Sequence, residues 1–130
     1  MTVVPARDAD LAAVMNVLDG AALEISAERV RAAIDRDRVL VTRSAGGTVL
    51  GAVVGNQREH AVRILAIAVR PGRRGDGIGS ALIEAAHDRW GPLEAAFDPD
   101  LAPFYRTNGF AIEPGERYRG RLGVPERSED

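Results

Sequence analysis

A glycine-rich turn flanked by arginines is the segment of this sequence best suited to chemistry. Residues 69–80 read Val-Arg-Pro-Gly-Arg-Arg-Gly-Asp-Gly-Ile-Gly-Ser, with an apolar run before them and a helical pattern after them. The first amides of a helix have no intrahelical acceptor and carry partial positive charge. Glycine amides and neighbouring arginines can therefore converge on one anion. The pattern predicts a phosphate or pyrophosphate site at residues 74–80, and the alternative is a plain tight turn with a solvated arginine face.

Two familiar phosphate-binding motifs fit this turn poorly. A Walker A loop needs a lysine where Ile78 stands, counted from Gly72. A dinucleotide fingerprint is partly matched by Gly75, Gly77 and Ser80, but that motif places its first glycine at the end of the strand. Here residues 70–74 intervene. A nucleotide-phosphate binder of another kind stays open as a hypothesis.

A third motif fits better. Arg74-Gly75-Asp76-Gly77-Ile78-Gly79 matches R-x-x-G-x-G, and Phe104-Tyr105-Arg106-Thr107-Asn108-Gly109-Phe110 resembles an "FYxxxGF" ending. Both motifs resemble signatures of the GNAT superfamily of acetyl-CoA-dependent N-acetyltransferases. Residues 65–75 also resemble the strand-to-loop segment of that family. The resemblance covers residues 65–110, and the rest of the chain agrees only in the order of its elements.

The resemblance implies a fold, a co-substrate and a set of site residues. The fold is an α/β (α+β) one: a mixed, mostly antiparallel twisted sheet of six to seven strands with about four helices. The co-substrate is acetyl-CoA, with no metal, and pantetheine lies between two strands that splay apart. The implied cofactor-binding residues are Ile67, Ala68, Val69, Arg73, Arg74, Gly75, Asp76, Gly77, Ile78, Gly79, Ser80 and Asp98.

The implied reaction is direct transfer of the acetyl group to a primary amine of a small molecule or protein. Tyr105 matches the family's tyrosine that protonates the departing thiolate, and we assign its neighbour Phe104 to the core. No covalent acetyl-enzyme is implied. The alternative is a catalytically weak coenzyme A-binding sensor or interaction module of the same fold.

The sequence departs from the family's pattern at two points. Asp98 stands where many members have asparagine, so it either contacts the cofactor or caps the short helix after it. No carboxylate occupies the central strand as a general base. Glu59 and His60 precede that strand, and we expect them to be a solvated turn, with deprotonation of the amine through water.

Composition bounds the remaining function classes. The chain has 130 residues, a length typical of one domain, and a net charge of −2, which gives no basic footprint for nucleic acid. Cysteine and lysine are absent, so thiolate and Schiff-base chemistry are excluded. No signal peptide or long apolar span is seen, so we expect a cytoplasmic protein with no membrane partner. A homodimer and the identity of the amine stay open.

Apolar periodicity and turn residues predict the elements that position these motifs. The order is a strand at 3–6, helices capped by Asp8 and Ser26, strands at Val39–Arg43, 48–55 and Val62–Val69, and a helix at Ile78–Trp90. A strand at Leu93–Phe97, a short helix at 101–107 and a hairpin of 110–112 with Tyr118–Leu122 follow. We expect residues 124–130 to be a frayed tail.

Overall fold

The computed structural model describes residues 1–21 and 24–123. The described part contains seven strands and four α-helices, in the order β1 Thr2–Pro5, α1 Leu11–Gly20, α2 Ala27–Asp35, β2 Val39–Arg43, β3 Val49–Gln57, β4 Val62–Val69, α3 Ile78–Trp90, β5 Leu93–Phe97, α4 Ala102–Thr107, β6 Ala111–Glu113 and β7 Tyr118–Leu122. Single 3-10 turns lie at Asp8–Asp10, Pro71–Arg73 and Pro99–Leu101. The frayed tail expected at 124–130 lies outside the described residues.

The strands form one sheet in the order β1-β2-β3-β4-β5-β7-β6. Every neighbouring pair is antiparallel except β4 and β5, which run parallel. A parallel pair needs a long crossover connection, and α3 supplies it. The mixed, mostly antiparallel sheet with about four helices is confirmed.

Helices cover the two faces of the sheet unequally. On one face, α1 and α2 bury Val14, Leu18 and Val30 against the β2–β4 part of the sheet. On the other face, α3 and α4 bury a cluster that includes Leu82, Trp90 and the ring of Phe110. Over β5, β7 and β6, the face that carries α1 and α2 is less covered by helices of the described residues than it is over β2–β4.

One glycine explains how closely α3 approaches the sheet. A Cβ on Gly55 of β3 would lie 2.6 Å from Val62 and 3.0 Å from the indole ring of Trp90. A side chain at this position would therefore push the end of α3 away from β3 and β4.

The boundaries predicted for five of the elements are reproduced, and two local details are corrected. Ser26 caps α2 as predicted, accepting a hydrogen bond from the Arg29 amide at 3.2 Å. Asp8 does not cap α1: it begins a 3-10 turn, and the carboxylate of Asp10 instead accepts a hydrogen bond from the Arg7 amide at 2.8 Å. Strand β3 continues to Gln57 rather than ending at residue 55, because pairing with β4 extends over the polar residues.

Candidate functional site

Strands β4 and β5 separate soon after they meet. Only two residue pairs join them in the described structure, Val62 with Leu93 and Arg63 with Glu94. Beyond this point the parallel pairing stops and a gap opens between the second half of β4 and the end of β5. The splay that the family resemblance implied is therefore present.

A bulge in β4 sets which groups face this gap. Val54 pairs with Ala66 and Gly55 with Ile64, so Leu65 is an extra residue in β4. Such an insertion bends the strand and changes which face its side chains occupy. Val62 and Ile64 accordingly pack under α3, whereas Ala66 and Ala68 pack towards α1 and α2.

The backbone of Ile67 and Val69 is available on the side of the gap. The Arg70 amide donates to the Leu50 carbonyl of β3 at 2.9 Å, so Ala68, two residues earlier, directs its backbone to β3 as well. Ile67 and Val69 alternate with them and direct their amides away from β3. Of the three residues expected to hold pantetheine, these two thus present backbone groups to the gap.

The glycine-rich turn ends in a row of amides without protein acceptors. Within the described residues, none of the amides of residues 75–80 donates a hydrogen bond to a carbonyl or side chain, and the first helical bond is from the Ala81 amide to the Gly77 carbonyl. Gly75 and Gly77 adopt φ of +90° and +80°, which turns the chain into α3. These amides at a helix start, which belong to exposed residues at 75–77, fit a pyrophosphate, so this part of the chain is compatible with coenzyme A.

The side chains of the turn have divided roles. Ile78, the first residue of α3, is buried against β3, so its side chain cannot contact an anion. A Cβ on Gly79 would lie 3.0 Å from the Phe104 ring, so this glycine also lets α3 and α4 pack together. Asp76 lies 3.4 Å from Arg73 in an exposed ion pair, and Ser80 is half-buried.

The arginines of the turn differ in their partners. Arg70 is a structural residue, because its Nε donates to the Val49 carbonyl of β3 at 2.7 Å. Arg74 is exposed, and its Nε donates to the Val69 carbonyl at 3.3 Å, at the mouth of the gap. The cationic donors beside the amides are therefore Arg73 and Arg74, and Arg70 does not join them.

Tyr105 lies in an aromatic cluster at the end of β5. Its ring stacks on Phe97 with 4.1 Å between centroids, and the ring centroids of Phe104 and Phe110 lie 5.2 and 5.0 Å away in T-shaped arrangements. Phe104 packs against the core as assigned but is only half-buried, whereas Tyr105 is 4% exposed and is the more deeply buried of the two. Burial raises the pKa of the Tyr105 hydroxyl to about 12, and the positive charge of Arg117 opposes that rise.

The other candidate residues lie on the surface. Asp98 occupies the N-cap position of the 3-10 turn before α4, but its side chain makes no capping hydrogen bond, so the capping role is not observed. Its contact with a cofactor stays a prediction. Glu59 and His60 form an exposed turn, as expected.

Sequence reasoning missed a cationic group beside the gap. Arg63, Arg117 and Arg119 come from β4, the β6–β7 loop and β7, and they line one groove. Their separation in sequence hides this grouping, because β7 lies between β5 and β6 in the sheet. The only signal was the alternation of arginines at 117, 119 and 121, which places them on one side of a strand.

The described residues contain neither a metal-binding cluster nor a membrane-spanning helix. No group of three or more histidine, aspartate or glutamate side chains there could hold a metal ion. None of the helices described is both long enough and apolar enough to cross a membrane.

Comparisons with known proteins point to one family. Residues 35–112 match the family model of the acetyltransferase (GNAT) domain. No curated protein sequence matches the chain.

Solved structures share the fold at low sequence identity. Rv2747 from Mycobacterium tuberculosis, in complex with CoA and NLQ, has a TM-score of 0.74 at 23% identity over 88% of this chain and 74% of that one. The yncA protein of Salmonella typhimurium with acetyl-CoA has a TM-score of 0.77 at 19% identity, over 100% of this chain and 97% of that one. The ribosomal-protein-S18-alanine N-acetyltransferase of Escherichia coli has a TM-score of 0.79 at 16% identity, over 99% of this chain and 97% of that one.

Proposed function

Since the chain belongs to the GNAT acetyltransferase family, we propose that it is an N-acetyltransferase that transfers the acetyl group of acetyl-CoA directly to a primary amine. The observation that carries this proposal is the row of unpartnered amides at residues 75–80, placed at the mouth of the β4–β5 gap. The CoA in one of the neighbouring structures described above and the acetyl-CoA in another support it.

Each part of the site has a role in this reaction. Bound acetyl-CoA supplies a thioester carbonyl that a neutral amine can attack. The amides of residues 75–80, with Arg73 and Arg74, bind the pyrophosphate, and the backbone of Ile67 and Val69 orients the pantetheine chain. Holding two reactants in line contributes about 7–11 kcal/mol to lowering a barrier of this kind.

Tyr105 is the proton donor in this proposal. A pKa of about 12 keeps its hydroxyl protonated at neutral pH, so it holds a proton where the thiolate leaves and does not act as a base. The amine loses its proton to water, since no carboxylate occupies the central strand β4 as a general base.

A coenzyme A-binding module without catalysis is the second candidate. The deep burial and raised pKa of Tyr105 favour it, because a weaker acid is a poorer donor. The exposed carboxylate of Asp98 beside an anionic cofactor favours it too. Binding and turnover must therefore be measured separately.

Binding is tested by thermal unfolding. Coenzyme A should raise the melting temperature by mass action, and ATP and NAD should raise it less. Arg74→Ala should weaken coenzyme A binding by about 1.5–3 kcal/mol, the range for a hydrogen bond to a charged group. Arg31→Ala, an exposed arginine of α2, is the matched control and should bind as the wild type does. No shift with millimolar coenzyme A would refute the proposal.

Turnover is tested by thiol release from acetyl-CoA over a panel of primary amines. Release that depends on the amine supports the enzyme. Binding of coenzyme A with no amine-dependent release across the panel favours the binding module.

A further inference from the structure

A groove of about 460 Å³ opens on the side of the sheet opposite α3 and α4. It is lined by Arg63, Ala96, Glu113, Pro114, Gly115, Glu116, Arg117 and Arg119. In β5 the buried residues Leu93, Ala95 and Phe97 face α3 and α4, so Glu94 and Ala96 face the other way. Its size falls in the range of small-molecule sites.

The groove adjoins the gap between β4 and β5. Arg63 belongs to the last residue pair that joins the two strands, and Ala96 lies in the part of β5 beyond it. Arg117 reaches over β5, donating from a terminal guanidinium nitrogen to the Ala96 carbonyl at 3.1 Å. The charge of Arg117 also acts on the Tyr105 hydroxyl, whose pKa is raised by burial and lowered by this arginine. A molecule in the groove therefore lies at the edge of the gap between β4 and β5, on the opposite side of the sheet from the Tyr105 ring.

The guanidinium groups of the groove are incompletely paired. The Arg119 side chain makes no hydrogen bond or ion pair with the described residues, and Arg117 contacts a carbonyl but none of their carboxylates. The Nε of Arg63 is buried without a hydrogen-bond partner there, 3.9 Å from the Glu94 carboxylate. Of the two glutamates of the lining, Glu113 already lies 3.4 Å from Arg121, outside the groove. The lining thus offers more cationic donors than anionic acceptors.

We propose that this groove binds the acceptor, and that the acceptor is a small-molecule amine carrying a carboxylate. Guanidinium groups bind carboxylates in paired hydrogen bonds, and three of them converge here from different elements. Glu116 is left to attract the ammonium form of the amine before it loses its proton. This inference rests on the proposed acetyl transfer, because it names the substrate class for the same site.

The test compares α-amino acids with their α-amino amides as acceptors, pair by pair, at one pH. The amide form has the less basic amine and so the larger reactive fraction at neutral pH, which means that chemistry alone favours the amide. The proposal expects kcat/KM to be higher for the acid of the best pair. Equal use of both members, or preference for the amides, would overturn it while leaving acetyl transfer intact.

Variants locate the preference in the groove. Arg119→Gln should lower the acid-to-amide ratio of kcat/KM about tenfold or more, mainly through KM, as expected for loss of a charge-assisted hydrogen bond. Arg31→Gln, an exposed arginine of α2 outside the groove, is the matched control and should keep the ratio. A ratio that both variants leave unchanged would overturn the assignment.

A binding measurement keeps the inference testable without turnover. Calorimetry with coenzyme A present should detect N-acetyl amino acids and give weaker heats for the corresponding N-acetyl amides. Binding of neither, or equal binding of both, would overturn the groove. A failure of coenzyme A itself to bind would instead overturn the proposed function.

Discussion

The environment of Tyr105 decides what this residue can do. Three aromatic rings surround it, and burial raises its pKa to about 12, so the hydroxyl stays protonated at neutral pH. Packing and catalysis use different atoms of this side chain: the ring fills the cluster, and the hydroxyl serves the reaction. A substitution that removes only the oxygen separates the two.

Tyr105→Phe should lower kcat by about 10²–10⁴-fold, the usual range for a positioned proton donor, with little change in KM. The melting temperature and coenzyme A affinity should change little, because the ring is kept. Tyr118→Phe is the matched control, since Tyr118 is the other tyrosine of the chain and lies 6.4 Å from Phe97. A rate in Tyr105→Phe equal to that of wild type would remove Tyr105 from the mechanism.

At the scale of elements, the entry into α3 depends on backbone conformation. Gly77 is the residue before the helix and has φ of +80°, whereas Gly72 lies in the preceding 3-10 turn. A Cβ on either glycine meets nothing within 4 Å, so the two differ in backbone conformation and not in available space.

Gly77→Ala should therefore destabilise the fold by about 1–2 kcal/mol, the cost of a left-handed conformation for an ordinary residue, and should weaken coenzyme A binding. Gly72→Ala should leave both quantities close to wild type. Urea unfolding and calorimetry measure the two effects. Equal behaviour of the two variants would show that the backbone conformation at Gly77 does not matter for the site.

The sequence predicted those elements whose signals are local. Strand Val62–Val69 and helix Ile78–Trp90 were predicted with their observed bounds, because Pro71, the glycine turn and Gly91 punctuate them. The cap by Ser26 was also local. The carboxylate of Asp10, by contrast, acts through Arg43, which is 33 residues away, and that contact has no local signature.

Parts of the site could not be predicted either, because they depend on contacts between residues far apart in the sequence. The hairpin of β6 and β7 was predicted, but its insertion with β7 against β5 is a long-range pairing. That insertion brings Arg119 beside Ala96, and so creates the groove. The early end of the β4–β5 pairing was anticipated only through the family resemblance.

At the scale of the whole molecule, Asp10 joins the first helical segment to the sheet. It is buried, and its carboxylate accepts hydrogen bonds from the Arg7 amide and the Arg43 guanidinium. Burial by itself raises the pKa of this carboxyl, but the bonds from Arg43 and Arg7 outweigh it and lower the pKa below the ordinary 3.8. The carboxylate thus stabilises the fold above that pH, and the stabilisation is lost as the pH falls through the lowered value.

Asp10→Asn should reduce the free energy of unfolding at neutral pH by about 1.5–3 kcal/mol, the range for a hydrogen bond to a charged group. The difference from wild type should shrink as the pH falls below 3.8. Asp8→Asn, an exposed neighbour, is the control and should follow the wild-type curve. A constant difference at all pH values would contradict the role of the charge.

The short pairing of β4 with β5 has a consequence for the mechanics of the sheet. Strands β1–β4 and strands β5–β7–β6 are two ribbons held edge to edge by two residue pairs, with α3 packed across both. The two strands are paired only at the start of β4, and beyond that point the backbone groups of Ile67 and Val69 have no partner strand. An extended molecule bound along β4 there would act as an additional strand. Its binding would strengthen the connection between the two parts of the sheet, and its release would leave only the two residue pairs between β4 and β5.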